Sequence, residues 1–123
     1  MSSEAAIALH FAPGTCARVP LIALEEIGLP FETWLVAFMA GGHRRPDFLA
    51  RNPAGKVPVL EWGDRVLTQN PVILAFLARQ FPEAKLLPLT GDPLEDAALH
   101  SQLAWFSGDL HPLVTRIRMP QFF

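Results

Sequence analysis

The sequence predicts a small α/β domain with the element order β-α-β-α-β-β-α, followed by a linker and one amphipathic helix. Short apolar runs that end in glycine or proline turns indicate buried strands, and apolar residues repeated every three or four positions indicate helices. Two apolar runs separated by a Gly-Asp pair indicate a β-hairpin. This alternation is typical of a sheet that packs against helices.

The first half of this domain contains two strands and two helices. The run from Ala5 to Phe11 predicts a buried strand, and a helix is expected from Cys16 to Gly28, because glycine is a natural C-terminal stop. Residues 31–36 predict the second strand. A short helix over residues 47–51 is ended by Asn52-Pro53, because a residue before proline disfavours the helical conformation.

The second half of the domain contains a hairpin and a third helix. Residues 57–62 predict one strand, Gly63-Asp64 the turn, and residues 65–67 the other strand. The side chain of Asn70 is expected to cap a helix that has Pro71 at its first position. The buried face of this helix is formed by Ile73, Phe76, Leu77 and Phe81.

The remaining residues predict a linker and a helix of a second domain. We expect one domain over residues 1–82, a linker over 83–93, which is rich in proline, and an all-α domain that begins over 94–123. Its helix carries an apolar stripe at spacings of three and four: Leu99, Leu103, Phe106, Leu110, Val114 and Ile117. Because no other predicted element covers this stripe, the chain is expected to dimerise, to aggregate or to continue in further helices after Phe123.

Composition excludes several classes of function. The chain has 123 residues, half of them apolar, and a formal net charge of −2, so it has no large basic surface for nucleic acid. Its longest apolar stretch, Trp34 to Ala40, is far shorter than the roughly 20 residues that cross a bilayer. The N-terminal residues also lack the pattern of a signal peptide, so we expect no membrane association and a cytoplasmic location.

Cysteine and histidine content narrows the chemistry further. Cys16 is the single cysteine, so neither an intrachain disulfide nor a cysteine-built zinc site can form. His100 and His111 are about 16 Å apart along a helix, and no metal is expected. Cys16 is predicted to lie near a helix N-terminus, where the helix dipole lowers the pKa of a thiol. The alternative is a buried, unreactive cysteine.

Three segments carry a resemblance to a known family. They are Ala12-Pro13-Gly14-Thr15-Cys16, the run from Asn52 to Leu60 that reads NPAGKVPVL, and the run from Leu67 to Leu74 that reads LTQNPVIL. In this order and spacing the chain resembles the glutathione transferases over about residues 5–117, and most closely the bacterial, cysteine-bearing beta class. The resemblance implies a thioredoxin-like N-terminal domain with glutathione as co-substrate.

The resemblance also implies a role for individual residues. It places the sulfur of glutathione near Cys16 and its cysteinyl backbone against Val57, which precedes a cis Pro58. The γ-glutamyl carboxylate is implied at Gln69 and Asn70, where the family usually has an acidic residue or glutamine followed by serine. Asn70 can also serve simply as a helix cap, and the side chain of Gln69 can simply be solvated.

A fourth site residue is implied on the last helix. His111 follows Asp109-Leu110, as does a histidine that faces the glutathione thiol in the beta class. A stripe of small residues leaves room for a ligand or for close helix packing: Ala97, Ser101, Ala104 and Gly108. The basic loop over residues 42–45 either meets the glycine carboxylate of glutathione or is only a flexible charged loop.

The implied activity is conjugation of the glutathione thiolate to small electrophiles, with catalysis by Cys16 and His111. A monothiol redox cycle through Cys16 on a disulfide substrate remains open, and so does a role for the Thr15 hydroxyl in orienting glutathione. A non-catalytic interaction module or an inactive fragment with the same fold is the alternative. The resemblance further implies a homodimer, and it does not identify the electrophile.

Overall fold

The computed structural model describes residues 6–122 and contains a four-stranded sheet with the order β2-β1-β3-β4. Strand β1 (Ile7–Phe11) runs parallel to β2 (Glu32–Leu35) and antiparallel to β3 (Val59–Trp62), which forms a hairpin with β4 (Arg65–Thr68). The predicted α/β fold is confirmed. The predicted strand start at Ala5, and the terminal Phe123, lie outside the described residues.

One face of the sheet packs against helices α1 (Arg18–Ile27) and α3 (Asn70–Gln80). Alternate residues of β1 point to this face, because side chains along a strand alternate between the two faces. Helix α1 ends where predicted, since Gly28 adopts a left-handed conformation with φ of 84° and donates its N–H to the Leu24 carbonyl. The core on this face consists of Ile7, Leu9, Ala23, Leu24, Leu60, Ile73 and Leu77.

The other face of the sheet carries the short helix α2 (Pro46–Arg51) and a buried histidine. His10 is only 7% exposed, and its ring stacks on Trp34 with the ring centres 6.2 Å apart. Its Nε2 is hydrogen-bonded to the Glu61 carboxylate, which also accepts from Arg51 Nε at 2.7 Å. His10, which had no predicted role, therefore forms the buried end of a polar network that reaches the exposed Arg51.

A second unit begins at Leu87, after the 3₁₀ turn Pro82–Ala84 that follows α3. Helix α4 (Pro93–Trp105) is capped by Asp92, whose carboxylate accepts the N–H of Glu95 at 2.9 Å. Next to this cap, the buried Asp96 carboxylate accepts the N–H groups of Thr90 and Gly91. The unit is thus held at its N-terminal end by two carboxylates.

The predicted last helix is present, but one turn of π-helix lies within it. Between α4 and α5 (His111–Arg118) residues 106–110 form a wide π-helical turn, in which the His111 N–H bonds to the Phe106 carbonyl. Pro112 explains the wide turn, because it has no N–H to give the carbonyl four residues earlier and its ring would collide with that carbonyl. In the predicted apolar stripe, Leu99 and Leu103 are half-buried. The other four side chains of the stripe are exposed: Phe106, Leu110, Val114 and Ile117.

None of the helices between residues 6 and 122 has both the length and the apolar character needed to cross a membrane. Across the same residues, no three histidine, cysteine, aspartate or glutamate side chains lie close enough together to hold a metal ion.

Candidate functional site

The candidate site is centred on Cys16, in the turn between β1 and α1. The Thr15 hydroxyl donates to the Ala12 carbonyl at 2.6 Å and accepts from the Ala17 N–H at 3.3 Å, so it fixes the turn. The half-buried Cys16 thiol donates to the carbonyl oxygen of Val57 at 3.8 Å. A role for Thr15 in orienting glutathione would require its hydroxyl proton to leave Ala12.

The thiol does not have the lowered pKa that its position near a helix predicts. Burial raises the pKa of Cys16 above its ordinary value. A hydrogen bond from the backbone, a hydrogen bond from the Asn70 side chain and the charge of Lys56 act in the opposite direction but are outweighed. The N–H groups of Arg18 and Val19 bond back to carbonyls of the turn, at 3.2 and 3.1 Å, and so do not stabilise a thiolate. The predicted dipole effect is therefore overcome by burial.

The segment before β3 is held by its own side chain and backbone contacts. Asn52 donates to the Lys56 carbonyl at 2.9 Å and accepts the Ala54 N–H at 3.1 Å, which closes the loop. The Val57–Pro58 peptide bond is cis, as the family resemblance implies. These contacts bring the buried Val57 against the thiol of Cys16.

The N-terminus of α3 forms the third side of the site. The prediction that the Asn70 side chain caps this helix is wrong. No side chain caps this helix, and the Asn70 Nδ2 instead donates to the Cys16 carbonyl at 3.1 Å. Helix α3 starts at Asn70 itself, with Pro71 in its first turn. The preceding residue, Gln69, is exposed and has φ of 76°, a conformation that is strained for any residue except glycine.

His111 lies in the second unit, at the first residue of α5, and its side chain is exposed. Its Nε2 lies 3.4 Å from the hydroxyl of Thr115, which donates to the His111 carbonyl at 2.9 Å. The structure thus joins Cys16, Val57 and Asn70 by direct contacts and places Gln69 next to Asn70. The contact of His111 with the glutathione sulfur remains a prediction.

The basic loop contains a glycine that the structure requires. A Cβ on Gly42 would lie 2.8 Å from the backbone nitrogen of Ala37, so only glycine fits this 3₁₀ turn. The side chains of Arg44 and Arg45 are exposed, and the ring of His43 packs on Phe38 with the centres 4.6 Å apart. The loop is therefore anchored at its histidine and presents its two arginines to solvent.

Sequence analysis assigned no role to Lys56, although the structure places its charge where it acts on Cys16. The signal was present in the NPAGKVPVL string, because Lys56 directly precedes Val57. Lys56 is the cationic group that favours the thiolate form of Cys16.

A known family matches more than half of this chain. Residues 14–80 match the family described as "Glutathione S-transferase, N-terminal domain". This range contains Cys16, Val57, Pro58, Gln69 and Asn70. Among curated proteins, the chain is 42% identical over 94 residues to glutathione S-transferase 1 of Dianthus caryophyllus. The match covers 76% of this chain and 41% of that relative.

Solved structures give the same result over more of the chain. A glutathione transferase homologue from Sulfitobacter with bound glutathione has 31% identity and a TM-score of 0.83, covering 96% of this chain and 56% of that one. The beta-class glutathione S-transferase of Sphingomonas chungbukensis has 37% identity and a TM-score of 0.78, covering 92% and 57%. The chain thus spans about half the length of these relatives.

Proposed function

We propose, because the chain belongs to the glutathione S-transferase family, that it binds glutathione along Cys16, Val57 and the N-terminus of α3. The observation that carries the proposal is the pair of contacts from Cys16 to Val57 and from Asn70 to Cys16. These contacts gather three segments that are far apart in the sequence around one thiol. The glutathione bound to the homologue from Sulfitobacter supports the same ligand here.

Each part of glutathione has a chemical counterpart in this arrangement. Its cysteinyl backbone would pair with the backbone of Val57, as an added strand pairs with a sheet. Its γ-glutamyl carboxylate would accept the N–H groups in the first turn of α3 that have no partner within the helix, beside the Gln69 side chain. Arg44 and Arg45 are exposed and would attract the glycine carboxylate.

The proposed reaction is attack of the glutathione thiolate on a small electrophile. A Cys16 with a raised pKa keeps its proton at neutral pH and can donate its S–H to the thiolate of glutathione. This hydrogen bond favours the anionic nucleophile. The direction of the pKa shift thus supports a donor role for Cys16 over a role as the nucleophile itself.

Monothiol redox chemistry is the second candidate, supported by a hydrogen bond from Asn70 and the charge of Lys56, which both act to lower the pKa of Cys16. In that cycle the Cys16 thiolate attacks a mixed disulfide of glutathione, the old S–S bond breaks, and the substrate thiolate leaves and takes up a proton. The thiolate of a second glutathione then attacks the Cys16–glutathione disulfide. This step releases oxidised glutathione and restores Cys16.

Binding of glutathione to the full chain tests the proposal directly. Isothermal titration should show binding to the wild type and weaker binding to Cys16→Ala and Gln69→Ala. Gln80→Ala is the matched control, because Gln80 is exposed at the opposite end of the same helix. Mass spectrometry of the untreated protein for a glutathione adduct on Cys16 distinguishes the redox cycle from conjugation. If the protein shows no glutathione binding and carries no adduct, the proposal is contradicted and the interaction module is favoured.

A homodimer in the cytoplasm is also proposed for the protein.

His111 is proposed to face the sulfur of bound glutathione. His111→Ala is expected to lower the rate of conjugation to an electrophile such as a halogenated dinitrobenzene more than it weakens glutathione binding. Gln102→Ala is the control for an exposed change on α4. Equal rates for the two variants would remove His111 from the site.

A further inference from the structure

The side chain of Asn70 links the start of α3 to the backbone of Cys16, a residue 54 positions earlier. Its Nδ2 donates to the Cys16 carbonyl at 3.1 Å. Its Oδ1 is buried and has no hydrogen-bond partner among residues 6–122. An unpaired buried oxygen is costly, and the hydrogen bond from Nδ2 to the Cys16 carbonyl offsets part of the cost of burying this side chain.

Two simpler roles do not account for this side chain. Helix capping is excluded because the Asn70 Oδ1 accepts no hydrogen bond from residues 6–122. Binding of the glutamyl carboxylate by this carboxamide could use only one of its two N–H groups, because the other donates to the Cys16 carbonyl. The buried Oδ1 is an acceptor and repels a carboxylate.

The same carboxamide also influences the pKa of the Cys16 thiol. Burial raises the pKa of the Cys16 thiol, and a hydrogen bond from the Asn70 side chain opposes this effect. Hydrogen bonds to a charged acceptor are stronger than those to a neutral one, so this donor favours the thiolate. The backbone anchor and the effect on the sulfur come from one amide group.

We infer that Asn70 is a positioning residue for Cys16: its carboxamide donates to the Cys16 carbonyl and thereby fixes the backbone that carries the thiol. The inference rests on the proposed function in giving Cys16 a role at the sulfur of glutathione. The backbone and the side chain of Asn70 then have different roles. The backbone belongs to the proposed carboxylate site at the start of α3, and the side chain acts through Cys16.

The test measures the rate of Cys16 alkylation by iodoacetamide against pH on the full chain. Cys16 is the single cysteine, so the labelled site is unambiguous. Asn70→Ala removes the donor, and Asn70→Asp keeps the shape but replaces the donor with a charge. We expect the midpoint of the profile to rise by about one pKa unit in Asn70→Ala, which slows alkylation at pH 7 about tenfold. A larger rise is expected in Asn70→Asp.

Glu61→Gln is the control for a general loss of stability, because Glu61 bonds to His10 and Arg51 and not to Cys16. Its alkylation profile should superimpose on that of the wild type. Asn70→Ser provides a second small side chain if Asn70→Ala does not fold. Profiles for both Asn70→Ala and Asn70→Asp that match the wild type would overturn the inference.

Titration of glutathione into the same variants separates this inference from the proposed function. We expect Asn70→Ala to change the dissociation constant by less than about threefold. A large loss of affinity with an unchanged alkylation profile would overturn the inference and make the side chain a glutathione ligand. A shifted profile in a protein that does not bind glutathione at all would support the inference while contradicting the proposed function.

Discussion

The Cys16 thiol donates to the carbonyl oxygen of Val57, a residue 41 positions later, across 3.8 Å. The contact keeps the thiol protonated, because a carbonyl can accept from S–H and repels a thiolate. It therefore acts in the same direction as burial, which raises the pKa of Cys16. Loss of the proton must break this contact.

The first prediction concerns stability at alkaline pH. A thiol whose pKa is higher in the folded chain than in the unfolded chain stabilises the fold at pH values below its ordinary pKa. This contribution is lost as the pH rises through the folded value. The free energy of unfolding should therefore fall more steeply between about pH 8 and 10 in the wild type than in Cys16→Ala.

Urea unfolding at several pH values measures this difference. Subtraction of the Cys16→Ala data removes the contribution of lysines and of the chain terminus, which titrate in the same range. Parallel curves for the two proteins across this range would contradict the raised pKa.

The second prediction concerns Glu61, whose carboxylate joins His10 to Arg51. Partial burial acts to raise its pKa, but hydrogen bonds from His10 and Arg51 together hold the pKa below its ordinary value. Such a carboxylate stabilises the fold at pH values above its ordinary pKa, and this stabilisation is lost as the pH falls through the lowered value. Glu61→Gln should cost about 1 kcal/mol or less at pH 7, because solvent screens the partly exposed pair with Arg51, and should flatten the acid limb of the stability curve.

Glu83→Gln is the matched control, because Glu83 is exposed in the turn after α3. Chemical unfolding at pH 7 and at pH 3 to 5 gives both quantities. A Glu61→Gln protein with the acid dependence of the wild type would show that the network does not depend on the charge of Glu61.

Much of the fold could be predicted from the sequence because its signals are local. Gly28 ends α1, and Gly63-Asp64 forms the turn of the β3–β4 hairpin, and both signals are independent of the rest of the chain.

The role of Asn70 could not be predicted, because its partner Cys16 is distant in the sequence and helix capping was the best local interpretation. The sign of the Cys16 pKa shift could not be predicted for the same reason, since the burial that raises it arises only in the folded chain. Pro112 could have indicated the π-helical turn, but the regular spacing of the apolar residues favoured an ordinary α-helix.

The third prediction concerns the core between the sheet and α3. Leu77 is fully buried in the cluster that also contains Leu9 and Leu24. Leu77→Ala should lower the free energy of unfolding by about 2–5 kcal/mol, because it leaves a cavity that the neighbouring side chains cannot fill. Val72→Ala on the same helix is the control and should change it by less than about 1 kcal/mol, since Val72 is 49% exposed. Thermal or urea unfolding measures both, and equal losses would contradict the packing described for α3.

The fourth prediction is that the backbone conformation of Gln69 lowers the free energy of unfolding. Its φ of 76° lies in a region that disfavours every side chain, so Gln69→Gly should raise the free energy of unfolding by about 1 kcal/mol. Because the same change removes a side chain proposed to orient the γ-glutamyl carboxylate, glutathione binding should become weaker. Stability and affinity are therefore expected to change in opposite directions.

Lys85→Gly is the matched control, because Lys85 also has a positive φ, of 52°, and lies in the turn after α3. It should stabilise the chain by a similar amount and leave glutathione binding unchanged. Unfolding in urea and titration with glutathione, carried out on both variants, separate backbone strain from the role of the side chain. If Gln69→Gly gains stability and binds glutathione as the wild type does, the side chain of Gln69 has no part in the site. The strain at that residue would then serve only to direct the chain from β4 into α3.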